Sequence, residues 1–204
     1  MRILAFDTCL DKTYITLSED LNIIKSEVIA STDENYHSAY LISTIVKLLK
    51  NAGLTPQDLD MIATDIGPGS FTGIRACTTV ARVLAQQLNI KAVGVSSLEI
   101  LSKILGGNDL VVLDARKNKA YVYDNKILGA VDLEEVDKIA EGRIVVTDNS
   151  MLDRINKKAI KAISYQQGNF PLSEILTGIA LTKDETNWQK LKPLYIQPPP
   201  VFGK

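Results

Sequence analysis

The stretch Asp65-Ile66-Gly67-Pro68-Gly69-Ser70-Phe71-Thr72-Gly73-Ile74-Arg75 holds the densest set of residues able to do chemistry. Its glycines let backbone N–H groups converge, and a helix opening at Ser70 would bring partial positive charge to its first turn. Together these could hold a phosphate or another anion. Asp7, Thr8 and Asp114, each just after a strand-like apolar run, extend the candidate phosphate site formed by Gly67, Gly69, Ser70, Thr72 and Gly73. The pattern is not a dinucleotide fingerprint, which needs glycine where Thr72 stands, nor a P-loop, since no Lys-Ser or Lys-Thr pair follows. Nor is it a nucleophile elbow, because Pro68 sits two residues before Ser70 where glycine is required. A plainer reading stays open: a tight helix-opening loop whose glycines permit close packing.

Other reactive residues are sparse. Cys9 and Cys77 are the two cysteines, which make no disulfide framework and no metal set, so neither metal nor cofactor is expected. The chain has 1 histidine, which rules out any multi-histidine site. His37 itself reads as a cap or contact residue near a helix start. The basic runs Arg116, Lys117, Lys119 and Arg154, Lys157, Lys158, Lys161 lack interleaved aromatics and read as solvated faces.

With 23 basic and 24 acidic side chains and a formal net charge of −1, the chain has no global pull towards nucleic acid or anionic membrane. Its 204 residues, 46% of them hydrophobic, suffice for real cores and exclude a disordered chain. No run approaches the ~18 apolar residues of a membrane span, and Asp7 interrupts the first apolar run too early for a signal peptide. A cytoplasmic protein without membrane contact is expected.

The elements that must position these residues follow from periodicity. Strands are predicted at 2–6, 14–17, 22–30, 61–66 and 91–95, with helices at 36–50, 70–88 and 97–105. The acidic lead-in Ser31-Thr32-Asp33-Glu34-Asn35 would cap the first helix. A second series repeats the order on a smaller scale: strands at 110–113, 120–123, 126–130, 143–147 and 159–163, helices at 133–140, 150–156 and 171–181. An α/β fold follows. Two such units fit ribonuclease-H-like lobes of the actin/sugar-kinase class, the second lobe smaller, with residues 1–106 in the first and 107–204 in the second. Trp188 would anchor the C-terminal segment, and Pro198-Pro199-Pro200 would lie extended.

Two helices carry more apolar surface than a monomer needs. A surface helix shows an apolar stripe of about 100°. The helix at 70–88 has one stripe at Ile74, Cys77, Ala81, Leu84 and Leu88 and another at Ala76, Val80 and Val83. The helix at 36–50 is similarly broad, with Tyr40, Leu41, Ile42, Ile45 and Val46. A partner interface at Tyr40, Leu41, Ile45, Ala76, Cys77, Val80 and Val83 is expected. The competing reading is that the chain's own second lobe fills these faces.

Four motifs resemble the bacterial TsaB (YeaZ-like) family: Asp7-Thr8-Cys9, the Gly67–Arg75 loop, Asp114-Ala115-Arg116 with Tyr121, and Pro193-Leu194-Tyr195-Ile196. They occur in the family's order over nearly the whole chain. Cys9 stands where the family has serine, and Lys119 where an acidic or amide residue is common. The resemblance implies a role in forming threonylcarbamoyladenosine beside the anticodon of tRNAs that read codons beginning with A. It implies a non-catalytic subunit that pairs, through the two broad helices, with a catalytic TsaD-like paralogue or with a second copy of itself. A TsaE-like ATPase would join the assembly, and tRNA would be met only through it, where the basic runs could add phosphate contacts. The catalytic paralogue carries two metal-holding histidines at positions that correspond here to Ser97 and Leu101, so metal-dependent transfer or proteolysis is not expected of this chain. The alternative from the residues alone is a small ATP-binding phosphotransferase or ATPase using Asp7, Thr8, the glycine loop and Asp114.

Overall fold

The computed structural model describes residues 1–31, 36–107, 109–184 and 187–197. The acidic lead-in at 32–35, the His37 side chain and the proline tail at 198–200 lie outside the described residues.

Two five-stranded sheets carry the chain, each in a compact unit of its own. In the first, β1 (Arg2–Asp7) pairs antiparallel with β2 (Thr13–Glu19), which pairs with β3 (Asn22–Ile29). On its other side β1 runs parallel to β4 (Met61–Asp65), and β4 to β5 (Lys91–Val95), giving the order β3-β2-β1-β4-β5. β1 and β4 read as continuous apolar runs because both of their faces are covered. On one face Leu4, Phe6 and Ile62 pack with Leu41, Ile45, Leu48 and Leu49 of α1 (Leu41–Asn51) and with Ile74, Cys77, Ala81 and Ala85 of α2 (Phe71–Leu88). Alternation sends Ile3 and Ala5 to the other face.

The second sheet repeats this plan. β6 (Leu110–Asp114), β7 (Lys119–Tyr123) and β8 (Ile127–Asp132) form an antiparallel meander, and β9 (Ile144–Thr147) and β10 (Lys161–Ser164) add on parallel to β6. The order is β10-β9-β6-β7-β8, the first sheet's plan again. Its core joins Val112, Val122 and Val145 to Val136 of α4 (Leu133–Ala140) and Ile155 of α5 (Leu152–Asn156).

The division into residues 1–106 and 107–204 needs correction. The first unit is Met1–Ile100 together with Pro171–Leu194, and the second begins at Leu101, runs to Phe170 and resumes at Tyr195. The helix α6 (Leu172–Leu181) packs on β1, β2, β4 and β5, covering the face that Ile3 and Ala5 line. The Ser173 hydroxyl meets that of Thr16 at 2.7 Å, both buried. Without α6 that face of the buried strands β1 and β4 would be left uncovered.

Two helices are shorter than expected. A 3₁₀ turn at His37–Tyr40 precedes α1. The helix α3 (Ser97–Leu101) gives way to turns in which Ile104 N–H bonds Leu101 O and Gly106 N–H bonds Lys103 O. Trp188 packs against the first core, as expected of an anchor. Just beyond it, Leu194 N–H donates to Ile66 O at 2.8 Å.

Candidate functional site

Parallel pairing of β1 with β4 puts Phe6 opposite Thr64, so the next residues, Asp7 and Asp65, end adjacent strands side by side. Each carboxylate closes the turn that follows it: Cys9 N–H donates to Asp7 Oδ1 at 2.5 Å, and Gly67 N–H to Asp65 Oδ1 at 2.6 Å. Ser97 Oγ, from α3, donates to Asp65 at 2.8 Å and 2.7 Å from its two oxygens. Both aspartates are fully buried. Burial, and then the neighbouring charge of Asp65, pushes the Asp7 carboxyl well above the usual carboxylate range. Burial also raises Asp65, to about 6, against the opposing pull of the Gly67 N–H and the Ser97 hydroxyl. The two carboxyls titrate as a pair, both held above the ordinary range by burial.

The glycine loop lies on this pair. Ser70 caps α2, its Oγ accepting from Gly73 N–H at 3.2 Å, and Ile74 N–H bonds Ser70 O at 2.8 Å. Ser70 N–H donates to Cys9 O at 2.7 Å, and Thr8 Oγ1 donates to Gly73 O at 2.7 Å. A Cβ on Gly69 would collide with the carbonyl of Cys9, and one on Gly73 with that of Thr8. The glycines are thus explained by the close approach of the loop and helix to the turn after β1. Four of the loop's amides, those of Gly67, Ser70, Gly73 and Ile74, are engaged inside the chain and unavailable to an anion. Asp7, Thr8, Gly67 and Gly73 are buried, while Gly69 and Thr72 are exposed. Asp114 belongs to the second unit. Close packing alone accounts for Gly69 and Gly73, so neither glycine calls for a bound phosphate.

The second unit repeats the strand-end device in the open. Arg116 N–H donates to Asp114 Oδ1 at 2.7 Å, as Cys9 does to Asp7, and Asp148, just after β9, accepts from Asp114 N–H at 2.7 Å. Asp65 entered the sequence reading only as the first residue of the glycine-loop stretch, without a role of its own, and Asp148 was not singled out. The available signal was an aspartate closing the second parallel strand of each unit, parallel to the Asp7 and Asp114 match.

The partner face is redrawn by burial. Leu41, Ile45 and Cys77 point into the first unit's own core and cannot meet a partner. Tyr40, Ala76 and Val80 are half-buried. The apolar residues offered outward include Ile42 (62% exposed) and Val46 (61%) on α1, and Val83 (52%) and, at its first residue, Phe71 on α2. On α1 the core takes positions 41, 44, 45, 48 and 49, which leaves 42 and 46 one turn apart on the opposite side.

The positions matched to the paralogue's histidines do different work here. Ser97 holds Asp65, and Leu101 is a fully buried apolar side chain. Among the described residues, no helix is long and apolar enough to cross a membrane.

Two sheets of identical order, each an antiparallel meander extended by parallel strands, are ribonuclease-H-like lobes, and a pair of them defines the actin/sugar-kinase class. The fold of YeaZ from Pseudomonas aeruginosa matches with a TM-score of 0.75 at 22% identity, over 95% of this chain and 99% of that one. The family model described as TsaD, tRNA N6-adenosine threonylcarbamoyltransferase, matches residues 24–185. The chain belongs to this family, and within it is TsaB/YeaZ-like. The protein from Bacillus subtilis (strain 168) called tRNA threonylcarbamoyladenosine biosynthesis protein TsaB is 36% identical over 138 residues, 64% of this chain and 59% of that relative. A protein of the same name from Escherichia coli (strain K12) is 26% identical over 152 residues, 71% of this chain and 64% of that relative. The matched stretch thus spans about three fifths of these relatives' length.

Proposed function

We propose that this chain is a subunit of tRNA threonylcarbamoyladenosine biosynthesis that does no chemistry itself and works by binding a catalytic, TsaD-like paralogue. The observation that carries this reading is the outward apolar side of α1 and α2, where Ile42, Val46 and Val83 are more than half exposed although the opposite sides of both helices are core. Half-buried Ala76 and Val80 flank Val83 and are small enough to let a partner helix approach closely. The names of the relatives supply the pathway, and Ser97 and Leu101 at the histidine positions support a non-catalytic role. The subunit contributes binding energy, holding the paralogue in a competent arrangement and helping to form the surface that a TsaE-like ATPase and tRNA meet. Alone in the cytoplasm, the same helices pair two copies of the chain. A stable interface of this kind covers roughly 800 Å² per partner.

The test is co-purification with the catalytic paralogue, followed by tRNA threonylcarbamoylation with and without this chain. Activity that depends on the chain is expected. Full activity of the paralogue alone would overturn the role.

A further inference from the structure

Beside the carboxylate pair, the turn after β1 and the first half of α2 bring Cys9 and Cys77 together. One ligand atom each from Asp7, Cys9 and Cys77 lies within 4.8 Å of the other two, all three residues are buried, and both cysteines are free thiols. Among the described residues this is the one such group. Asp7 Oδ2 is buried with no hydrogen-bond partner. Cys77 Sγ accepts from Thr8 N–H at 3.1 Å, with Thr8 Oγ1 also at 3.1 Å. An amide pointed at sulfur favours the thiolate, the form that ligates metals.

We propose that Asp7, Cys9 and Cys77 form a buried site for a thiophilic divalent ion of the zinc class. Two sulfurs select against magnesium and calcium, which take oxygen ligands. Zinc–sulfur bonds of about 2.3 Å and zinc–oxygen bonds of about 2.0–2.2 Å place tetrahedral donors roughly 3.5–3.8 Å apart, so ligand atoms within 4.8 Å of one another need close in by about 1.3 Å at most. The metal displaces one proton from each thiol and one from the Asp7 carboxyl. The ion then supplies positive charge beside the buried Asp7 and Asp65 carboxyls, and the Thr8 amide orients the Cys77 sulfur from outside. The site ties the turn after β1 to α2 at the place where the glycine loop is packed, and so would stiffen the base of the helix that carries Val83.

Because the ligands are buried, the metal must meet them during folding. The full chain, reduced and unfolded in urea, is refolded with Co²⁺ or Zn²⁺ and freed of excess metal by gel filtration. One equivalent of metal is expected to remain, with the thiolate-to-cobalt charge-transfer band and a higher Tm than metal-free protein. Cys77→Ser should weaken binding by about 100-fold or more, and Asp7→Asn by about 10-fold or more. Wild-type protein that refolds with both thiols intact and retains no metal would overturn the site. So would retention unchanged in Cys77→Ser, which marks binding elsewhere. If the variants do not fold, the cobalt spectrum of the wild type decides, since a bound ion without thiolate charge transfer is not at this site.

Discussion

The carbonyl oxygen of Thr8 occupies the space that a Cβ on Gly73 would need. The same two residues are tied by the Thr8 Oγ1 bond to Gly73 O, so the turn after β1 and the first turn of α2 are packed backbone to backbone. Gly73→Ala should therefore cost about 3 kcal/mol or more, the upper end of what overpacking costs, because the clash is with backbone. Gly107→Ala is the control: its Cβ would meet only Asp109 Oδ1 at 3.7 Å, an ordinary contact, and a change within about 0.5 kcal/mol is expected. Urea denaturation of the two variants compares them directly. Equal stability would mean that α2 can slide away from the turn.

Burial separates the two apolar sides of α1 and α2 by what their loss should do. Val46→Arg and Val83→Arg change residues that are exposed in the chain, so each should shift stability by less than about 0.5 kcal/mol. Each should also abolish the complex with the catalytic paralogue, read as mass by light scattering. Leu41→Ala removes a core side chain and should instead cost about 2–5 kcal/mol. An unchanged complex mass for both arginine variants would refute this face as the contact.

How much of this was legible in the chain depends on the range of the information. β1 and β4 announce themselves as apolar runs because both of their faces are covered. The Asp7–Asp65 pair does not, since it arises from the parallel register of strands that are distant in sequence. In α1, Ile42 and Val46 are indistinguishable by residue type from Leu41 and Ile45. The direction in which the helix meets the sheet decides which are core, and a broad stripe conceals it. The apolar pattern of α6 is plain in Leu172, Leu176 and Ile179, but local periodicity carries no record of which sheet a helix will cover. Cys9 and Cys77 look unrelated for the same reason: only the docking of α2 on the turn makes them neighbours.

Ser97 donates to both oxygens of the buried Asp65. Ser97→Ala would remove the hydroxyl that meets both Asp65 oxygens and leave the carboxyl to the Gly67 amide and the neighbouring Asp7 and Cys9 side chains. The expected cost is about 1–3 kcal/mol at pH 7, the penalty for removing one partner of a buried group. The companion variant Ser97→Thr keeps a hydroxyl and should recover part of the loss. Chemical denaturation of both decides the point: an alanine variant as stable as the wild type would show that Asp65 finds another donor.

In the second unit, Arg143 grips Asp124 with two bonds, Nη1 to Oδ2 at 2.8 Å and Nη2 to Oδ1 at 2.9 Å. The hydrogen bonds and charge of Arg143 hold the Asp124 carboxyl below its ordinary value, and those of Asp124 raise the guanidinium. A carboxyl whose pKa is lower folded than unfolded binds fewer protons in the native state. Its contribution is then complete above the unfolded value of about 3.9 and is lost as the pH falls through the folded one. Asp124→Asn should cost about 0.5–1 kcal/mol at pH 7, a figure kept low because both side chains are partly solvated. The wild-type advantage should persist at pH 5 and shrink below about pH 4, where the carboxyl of the unfolded chain takes up its proton before the native one does. Urea denaturation of both proteins at pH 7, 5 and 3 measures it. A difference that does not vary with pH would assign the effect of the substitution to packing in place of charge.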